Sequence, residues 1–380
     1  MRILLIGEFS RLHNSLKSGL EKLGHEVMLV STSDGFKSLP TDFNYQSTVF
    51  NRSYLKWLVK GFQKLTGINL IKLEHAYRFR KILPRLENFD IVQLINENSI
   101  KTHPVIEKRL LKKLLKQNNK MFLLSCGADH LSIRFANDKK FRYSILTPLH
   151  ENEQNHVHYK FLLRYLKPSF RRLHEFLAQH VTGIIASDLD YHLPLLGHPK
   201  YKGMIPNPVQ MEELPFNQAG QKEVIRIFHG VNRKNYVKKG NRFFDEALKI
   251  ISEKYPDKTE IVRTENLPYS EYIRALENSD ILLDQVYAYD QGYNALEAMA
   301  RGMVVFTGAE QEWLDFYKLK EDEVAINALP DVPYLVGKLE KLILDRTKVQ
   351  LISRKAREFI EKEHHYIKIA ELYLKTWQQG

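Results

Sequence analysis

Two stretches of the chain carry residue types suited to chemistry on phosphate and sugar. The first is Ile227-Phe228-His229-Gly230-Val231-Asn232-Arg233, followed by Lys238-Lys239-Gly240. Its glycines let backbone approach a ligand, its guanidinium can bind two oxygens, and its ammonium groups act as point charges, a set that suits a diphosphate. A solvated loop can carry the same residues. The second runs from Asp284 through Asp290, Gln291, Gly292, Tyr293, Asn294 and Ala295 to Glu297 and Gly302. It reads as a strand ending in an acid, a polar turn containing glycine, and a helix with Glu297 in its early turns. Amides at that helix start can hold sugar or phosphate oxygens, with Glu297 accepting from a ribose diol. The plainer alternative is that Glu297 only complements the helix dipole.

Such groups need a scaffold, and the hydrophobic pattern supplies one. Arg2–Ile6 is a short apolar run, Leu12, Leu16 and Leu20 recur at helical spacing, and Glu26–Val30 is a second apolar run, together a βαβ unit. Further strands are predicted at 91–95, 120–125 and 181–186, with helices at 103–116 and near 161–180. A second series has strands at 224–228, 260–262, 281–283 and 304–306. This alternation predicts an α/β protein with doubly wound parallel sheets covered on both faces. Between the series, Ile205-Pro206-Asn207-Pro208-Val209 cannot continue regular structure, which places a boundary there. The expected division is 1–205 and 206–359, with a terminal helical segment at about 360–380 packing back on the first domain. A length of 380 residues agrees with two domains.

Charge is unevenly spread. Residues 1–200 hold 31 Lys/Arg against 17 Asp/Glu, a net +14, and residues 201–380 hold 26 against 28, a net −2. One half therefore faces a polyanion, an acidic membrane or an anionic substrate, unless the excess is simply solubilising. No acid lies between Asp42 and Glu74, where Arg52, Lys56, Lys60 and Lys64 alternate with Trp57 and other apolar residues. That spacing suits a basic amphipathic helix on anionic lipid, or a helix with a core side and a solvated side. A second basic cluster spans Tyr159–Phe176. The run His150–His158 has metal-ligand residue types but neither H-E-x-x-H nor a cysteine partner, so no metal is expected. The opening apolar run is too short for a signal peptide, nothing approaches the ~18 apolar residues of a membrane span, and the lone Cys126 cannot form an internal disulfide. These features place the protein in the cytoplasm.

The string GYNALEAMARG, with the Arg233 and Lys239-Gly240 loop and the Ile205-Pro206-Asn207 linker in the same order and at about the same spacing, resembles the family 4 (group 1) retaining glycosyltransferases of GT-B fold. The resemblance implies two Rossmann-like domains facing each other across a cleft. It also implies transfer of a sugar from a nucleotide-sugar donor, UDP- or GDP-linked, without metal or other cofactor. By position, Arg233 and Lys239 would neutralise the donor diphosphate and the leaving nucleotide, and Glu297 would bind ribose. The family's earlier glutamate falls at Tyr289, which leaves its role to Asp290, Asp284 or an unusual donor sugar. Arg233 and Lys239 lie six positions apart rather than the commoner five, which makes Lys238 an alternative cation. A loop near Thr264–Leu267 would select the base. Gly7 matches a glycine loop of the first domain, and Asp129 and His130 fall where the family places a polar group beside the reacting carbon. A turn with an N-cap aspartate is the alternative for Asp129.

The expected acceptor is a glycan or lipid-linked molecule of cell-surface polysaccharide or lipopolysaccharide biosynthesis, with possible docking on the inner membrane face. Two other functions compete: a basic nucleic-acid-binding protein, which no zinc finger or RNA-binding signature supports, and a nucleotide-sugar epimerase of the same fold. No nucleic-acid partner is expected.

Overall fold

The computed structural model describes residues 1–32 and 39–379. The first half builds a sheet of seven parallel strands: β1 (Arg2–Ile6), β2 (Glu26–Ser31), β3 (Phe43–Asn44), β4 (Ile91–Leu94), β5 (Lys120–Ser125), β6 (Gly183–Ala186) and β7 (Tyr201–Met204). Their order is β3-β2-β1-β4-β5-β6-β7. The second half builds five parallel strands: β8 (Ile225–Val231), β9 (Thr259–Glu265), β10 (Ile281–Leu283), β11 (Val304–Thr307) and β12 (Ile326–Asn327), ordered β12-β11-β10-β8-β9. Both orders are doubly wound, with the direction of winding reversing between β1 and β4 and between β8 and β10. The loops beyond those strand ends open the crevices where ligands bind in such sheets.

Period-two alternation explains why each sheet is covered on both faces. Leu4, Ile6, Val92 and Leu94 enter one core of the first sheet, while Ile3, Leu5, Val27, Leu29 and Ile91 enter another on the opposite face. In the second sheet Ile227, Ile281, Leu283 and Phe306 face one way and Phe228, Leu282 and Val305 the other. The strands predicted from these runs form, and the structure adds the short edge strands β3, β7 and β12.

Two helical readings are corrected. The helix expected over 161–180 is three pieces: a helix His156–Leu163, a 3-10 turn Arg164–Leu166 and a helix Pro168–His180. Pro168 forces Lys167 into an extended conformation (φ −67°, ψ 147°) and then serves as the first residue of the next helix. The terminal helical segment is likewise two helices, Arg346–Glu363 and Tyr366–Gln378. At the break, Val209 N–H donates to the His364 carbonyl and Tyr366 N–H to the Val209 carbonyl, so the chain passes between the halves twice at one place. The last helix then packs on the helix Leu12–Lys22. A side chain at Gly19 would meet the Tyr366 carbonyl oxygen at 2.5 Å, and Trp377 Nε1 donates to Gln93 Oε1 at 3.1 Å. Gly380 lies outside the described residues.

The helix Lys56–Thr66 has one buried residue, Val59. Trp57, Leu58, Phe62 and Leu65 are exposed beside its lysines, Leu65 at 88%. The core-facing alternative for this helix is therefore not what the fold adopts.

Candidate functional site

The loop after β8 turns through Asn232, Arg233 and Lys238 into Gly240, whose positive φ (69°) opens the helix Asn241–Lys254. Gly240 is also needed sterically, because a Cβ there would stand 2.9 Å from the Val286 side chain. Gly230 serves packing rather than ligand approach: the ring of Tyr272 occupies the space of its missing side chain. Asn232 is exposed and accepts from the Lys234 amide. Arg233 N–H donates to Asn266 Oδ1. The loop expected over Thr264–Leu267 begins only at Asn266, because Thr264 and Glu265 are the last residues of β9, and of Thr264 and Leu267 only Leu267 lies beyond it. The Arg233 guanidinium is half-exposed and paired with Glu265 at 2.7 Å. Lys239 Nζ lies 2.8 Å from the buried Asp284 Oδ1, which also accepts from Asn294 Nδ2 at 3.3 Å. Asp284 Oδ2 is buried without a hydrogen-bond partner. Lys238 is half-buried, forms no ion pair among the described residues, and is lowered from its ordinary pKa by that burial.

The helix Tyr293–Ala300 starts at Gly292 with an extended backbone, and no side chain caps its first amides. Glu297 lies on this helix, mostly buried, with Tyr269 Oη 3.4 Å from Oε2. Ala295 is core, and Tyr293 Oη donates to the Pro208 carbonyl at 2.8 Å, tying the helix to the inter-half linker. Gln291 Nε2 donates to the Gly308 carbonyl at 2.6 Å.

A cavity of about 240 Å³ lies between the halves. Gly127, Ala128, Asp188 and Asp190 line it from the first, and Asp290, Gln291 and Gly292 from the second. Arg233, Lys238, Lys239 and Glu297 are not among its lining residues. Asp290 Oδ2 accepts from Leu189 N–H across the boundary at 3.0 Å, and the Asp190 carboxylate accepts from Tyr289 N–H. Burial and mutual repulsion raise these acids, Asp190 to about 7 and Asp290, mainly by burial, to about 6. Asp188 caps the helix Leu189–Leu195.

Tyr289, at the position of the family's glutamate, is buried against Phe141 and Tyr143, and its hydroxyl accepts from Arg142 N–H at 2.8 Å. Arg142 in turn bridges to Glu310 and Glu312, and Tyr143 Oη donates to Glu310. This side chain is a strut between the halves. Of Asp284 and Asp290, the two acids that could take the glutamate's place, Asp290 lines the cavity and Asp284 does not.

In the first half, Gly7 has φ +87° and packs so tightly that a Cβ would stand 2.3 Å from Ile95 Cγ2. Asp129 takes the capping role: Oδ1 accepts from Ser132 N–H at 2.7 Å and Oδ2 from Ser125 Oγ. His130 N–H donates to Glu97 Oε1, and its Nδ1 lies 2.8 Å from the Tyr165 carbonyl. Burial lowers His130. Glu97 is raised to about 7 by burial, against the pull of His174 at 3.0 Å.

Asp188, Asp190, Arg142 and Glu310 were not singled out from sequence. Ser187-Asp188-Leu189-Asp190 directly follows a predicted strand, a signal for the first two. Nothing local marks the others, which meet across about 170 residues of chain.

Residues 231–375 match a family model described as glycosyl transferase-like. The fold of the whole chain is similar to Anabaena HepE in complex with UDP-glucose, at 11% identity over 100% of both chains and a TM-score of 0.58. Sucrose-phosphate synthase from Thermosynechococcus elongatus gives 11% identity over 100% of this chain and 98% of that one, with a TM-score of 0.62. A glycosyltransferase from Rickettsia africae gives 14%, 100% and 97%, with 0.54. No curated protein matches the chain. The architecture is thus GT-B, two Rossmann-like domains facing each other across a cleft, as the sequence resemblance implied. The glycosyl transferase-like segment begins at the last residue of β8 and includes Arg233, Lys238, Lys239 and the helix Tyr293–Ala300.

Proposed function

We propose that the protein transfers a sugar from a nucleotide-sugar donor, UDP- or GDP-linked, to a glycan or lipid-linked acceptor. The observation that carries this reading is the placement of the start of the helix Tyr293–Ala300. Gly292 at its head lines the cleft cavity, and the helix belongs to the segment matching the glycosyl transferase-like family. A helix start, with the partial positive charge of the dipole, suits donor oxygens.

The donor belongs to the second half, with Glu297 on ribose and the 264–267 loop on the base. Arg233 and Lys239 reach an anion only by leaving carboxylates. Releasing Glu265 from the exposed Arg233 pair costs little in solvent, whereas releasing Asp284 strands a buried charge. Lys239 therefore best remains with Asp284, and Arg233 with the unpaired Lys238 meets the diphosphate. With the leaving diphosphate stabilised in this way and able to take the acceptor proton, retention needs no carboxylate pair or metal. Asp129, committed to its helix, acts by holding the loop with Gly127 and Ala128, and His130 stands behind it.

The exposed apolar and lysine faces of the helix Lys56–Thr66, with Arg52 beside it, support docking on an anionic cytoplasmic membrane surface. That placement suits a cell-surface polysaccharide or lipopolysaccharide pathway.

Thermal unfolding against UDP, GDP, CMP, ADP, NAD and their sugar conjugates tests the donor reading. One nucleoside diphosphate should stabilise the wild type, by ~2.7 kcal/mol at a hundredfold excess over Kd, and Arg233→Ala and Glu297→Ala should lose the shift. No shift with any nucleotide overturns it. Turnover of a nucleotide-sugar without acceptor would instead indicate an epimerase.

A further inference from the structure

A second cavity, about 390 Å³, lies wholly in the first half. The helix Leu70–Ile82 lines it with Ile71, Lys72 and His75, the loop after β4 with Asn98 and Lys101, and the segment 161–165 with Phe161, Arg164 and Tyr165. Gly127 and Ala128 line both this cavity and the one between the halves, so the two are neighbours across a single loop.

Its lining has three cationic side chains and no carboxylate. Among the described residues neither Lys72 nor Arg164 forms an ion pair. The acid that acts on Lys72 is Glu107, and its oxygens are taken by Ile100 N–H, Thr102 N–H and Asn98 Nδ2. Glu107 is itself raised to about 7 by burial, so it is a poor counter-charge. Arg164 Nη2 donates to Tyr165 Oη at 3.1 Å, its guanidinium lies 3.8 Å from the Phe161 ring centre, and its Nε is buried without a partner. Burial, and then the charge of Arg164, pull Lys72 down to about 8. Lys72 and Arg164, half-buried side by side on a lining without a carboxylate, repel each other, a cost that an anion between them would remove.

We propose that this cavity binds a phosphate or diphosphate ester group of the acceptor, with Arg164 and Lys72 as its principal ligands. A planar guanidinium suits paired phosphate oxygens and an ammonium suits the remaining charge. Phe9, Ile71 and Phe161 add apolar surface beside these two groups. An acceptor anchored here would present its hydroxyl past Gly127 and Ala128 toward the donor sugar. This inference rests on the transferase reading for the word acceptor, and on the cavity alone for the anion.

The test is a titration of the full chain with inorganic phosphate, read at the Ile71 methyl group by NMR so that binding elsewhere is not counted. The methyl signal should shift saturably in the wild type. Lys72→Gln and Arg164→Gln should each weaken the apparent affinity about tenfold, the loss of one charged hydrogen bond, while Lys72→Arg and Arg164→Lys restore most of it. No Ile71 shift at millimolar phosphate, or equal affinity in Lys72→Gln, overturns the site. A soluble sugar phosphate and a short-chain prenyl diphosphate in micelles are then run as competitors. Displacement by only one assigns the acceptor to that source, and displacement by neither overturns the acceptor assignment. The titration contains no nucleotide. Phosphate binding that persists when no nucleotide binds therefore keeps the anion site and removes its role as acceptor site, and nucleotide binding without an Ile71 shift removes the site alone.

Discussion

Lys239 and Arg233 of the second half and Lys72 and Arg164 of the first are held in opposite states. In the second half Lys239 and Arg233 each hold a carboxylate, Asp284 and Glu265. In the first half Lys72 and Arg164 face a cavity without one. A paired cation binds an anion only as the difference between two partners, so it discriminates and releases readily. An unpaired one already bears the cost of desolvation, so a ligand recovers it. The net charges of +14 and −2 thus report more than solubility: part of the first half's excess lines a cavity.

The sharpest way to break this comparison is to remove one cation from each half. Lys239→Gln leaves Asp284 buried with one oxygen already unpartnered, and chemical denaturation should show a loss of roughly 1–3 kcal/mol. Lys72→Met should act with the opposite sign. The folded pKa of Lys72 is depressed, so the wild type is penalised at neutral pH and regains stability as pH rises from about 8 toward 10.5. The variant should be more stable at pH 7, on the order of 1 kcal/mol, and should lack that rise. Equal losses in both variants would show that the halves do not differ.

A third experiment tests the boundary between the halves. Asp190 is raised to about 7 by burial and the charge of Asp290, while the unfolded chain gives it up near 4. Between these values the folded state holds the extra proton, so wild-type stability should fall as pH rises from 4 to 7. Asp190→Asn should flatten that fall in a pH series of unfolding midpoints. The smallest effect is expected at Arg233→Gln, whose unfolding midpoint should stay close to that of the wild type in the absence of ligand, because its pair with Glu265 is exposed.

Much of the fold was legible because the central strands, such as Arg2–Ile6, Ile91–Leu94 and Val304–Thr307, are short runs that are almost wholly buried, and the turn glycines and prolines mark where runs stop. The edge strands β3, β7 and β12 escaped notice because they are only two to four residues long and one side is free of the core. Pro168 was visible, but the basic and aromatic spacing around it continued past the break. In the site, the phosphate loop and the 284–302 string were readable as local strings. The cationic cavity was not, since Lys72, Lys101 and Arg164 come from three separate elements and resemble ordinary surface charge until the sheet order brings them together. Tyr289 showed as a departure from the family pattern, but its role required Phe141 and Tyr143, which only the fold places beside it.

The helix Tyr366–Gln378 has a consequence for how the molecule is made. Ile369, Ala370, Tyr373 and Trp377 complete a core that includes Leu12, Leu16 and Leu20, which are synthesised before the whole second half. On the ribosome that apolar face stays open through the translation of the whole second half. The first half cannot finish folding in order of synthesis, and a nascent chain stalled before residue 366 should be a chaperone substrate whatever the state of its other core.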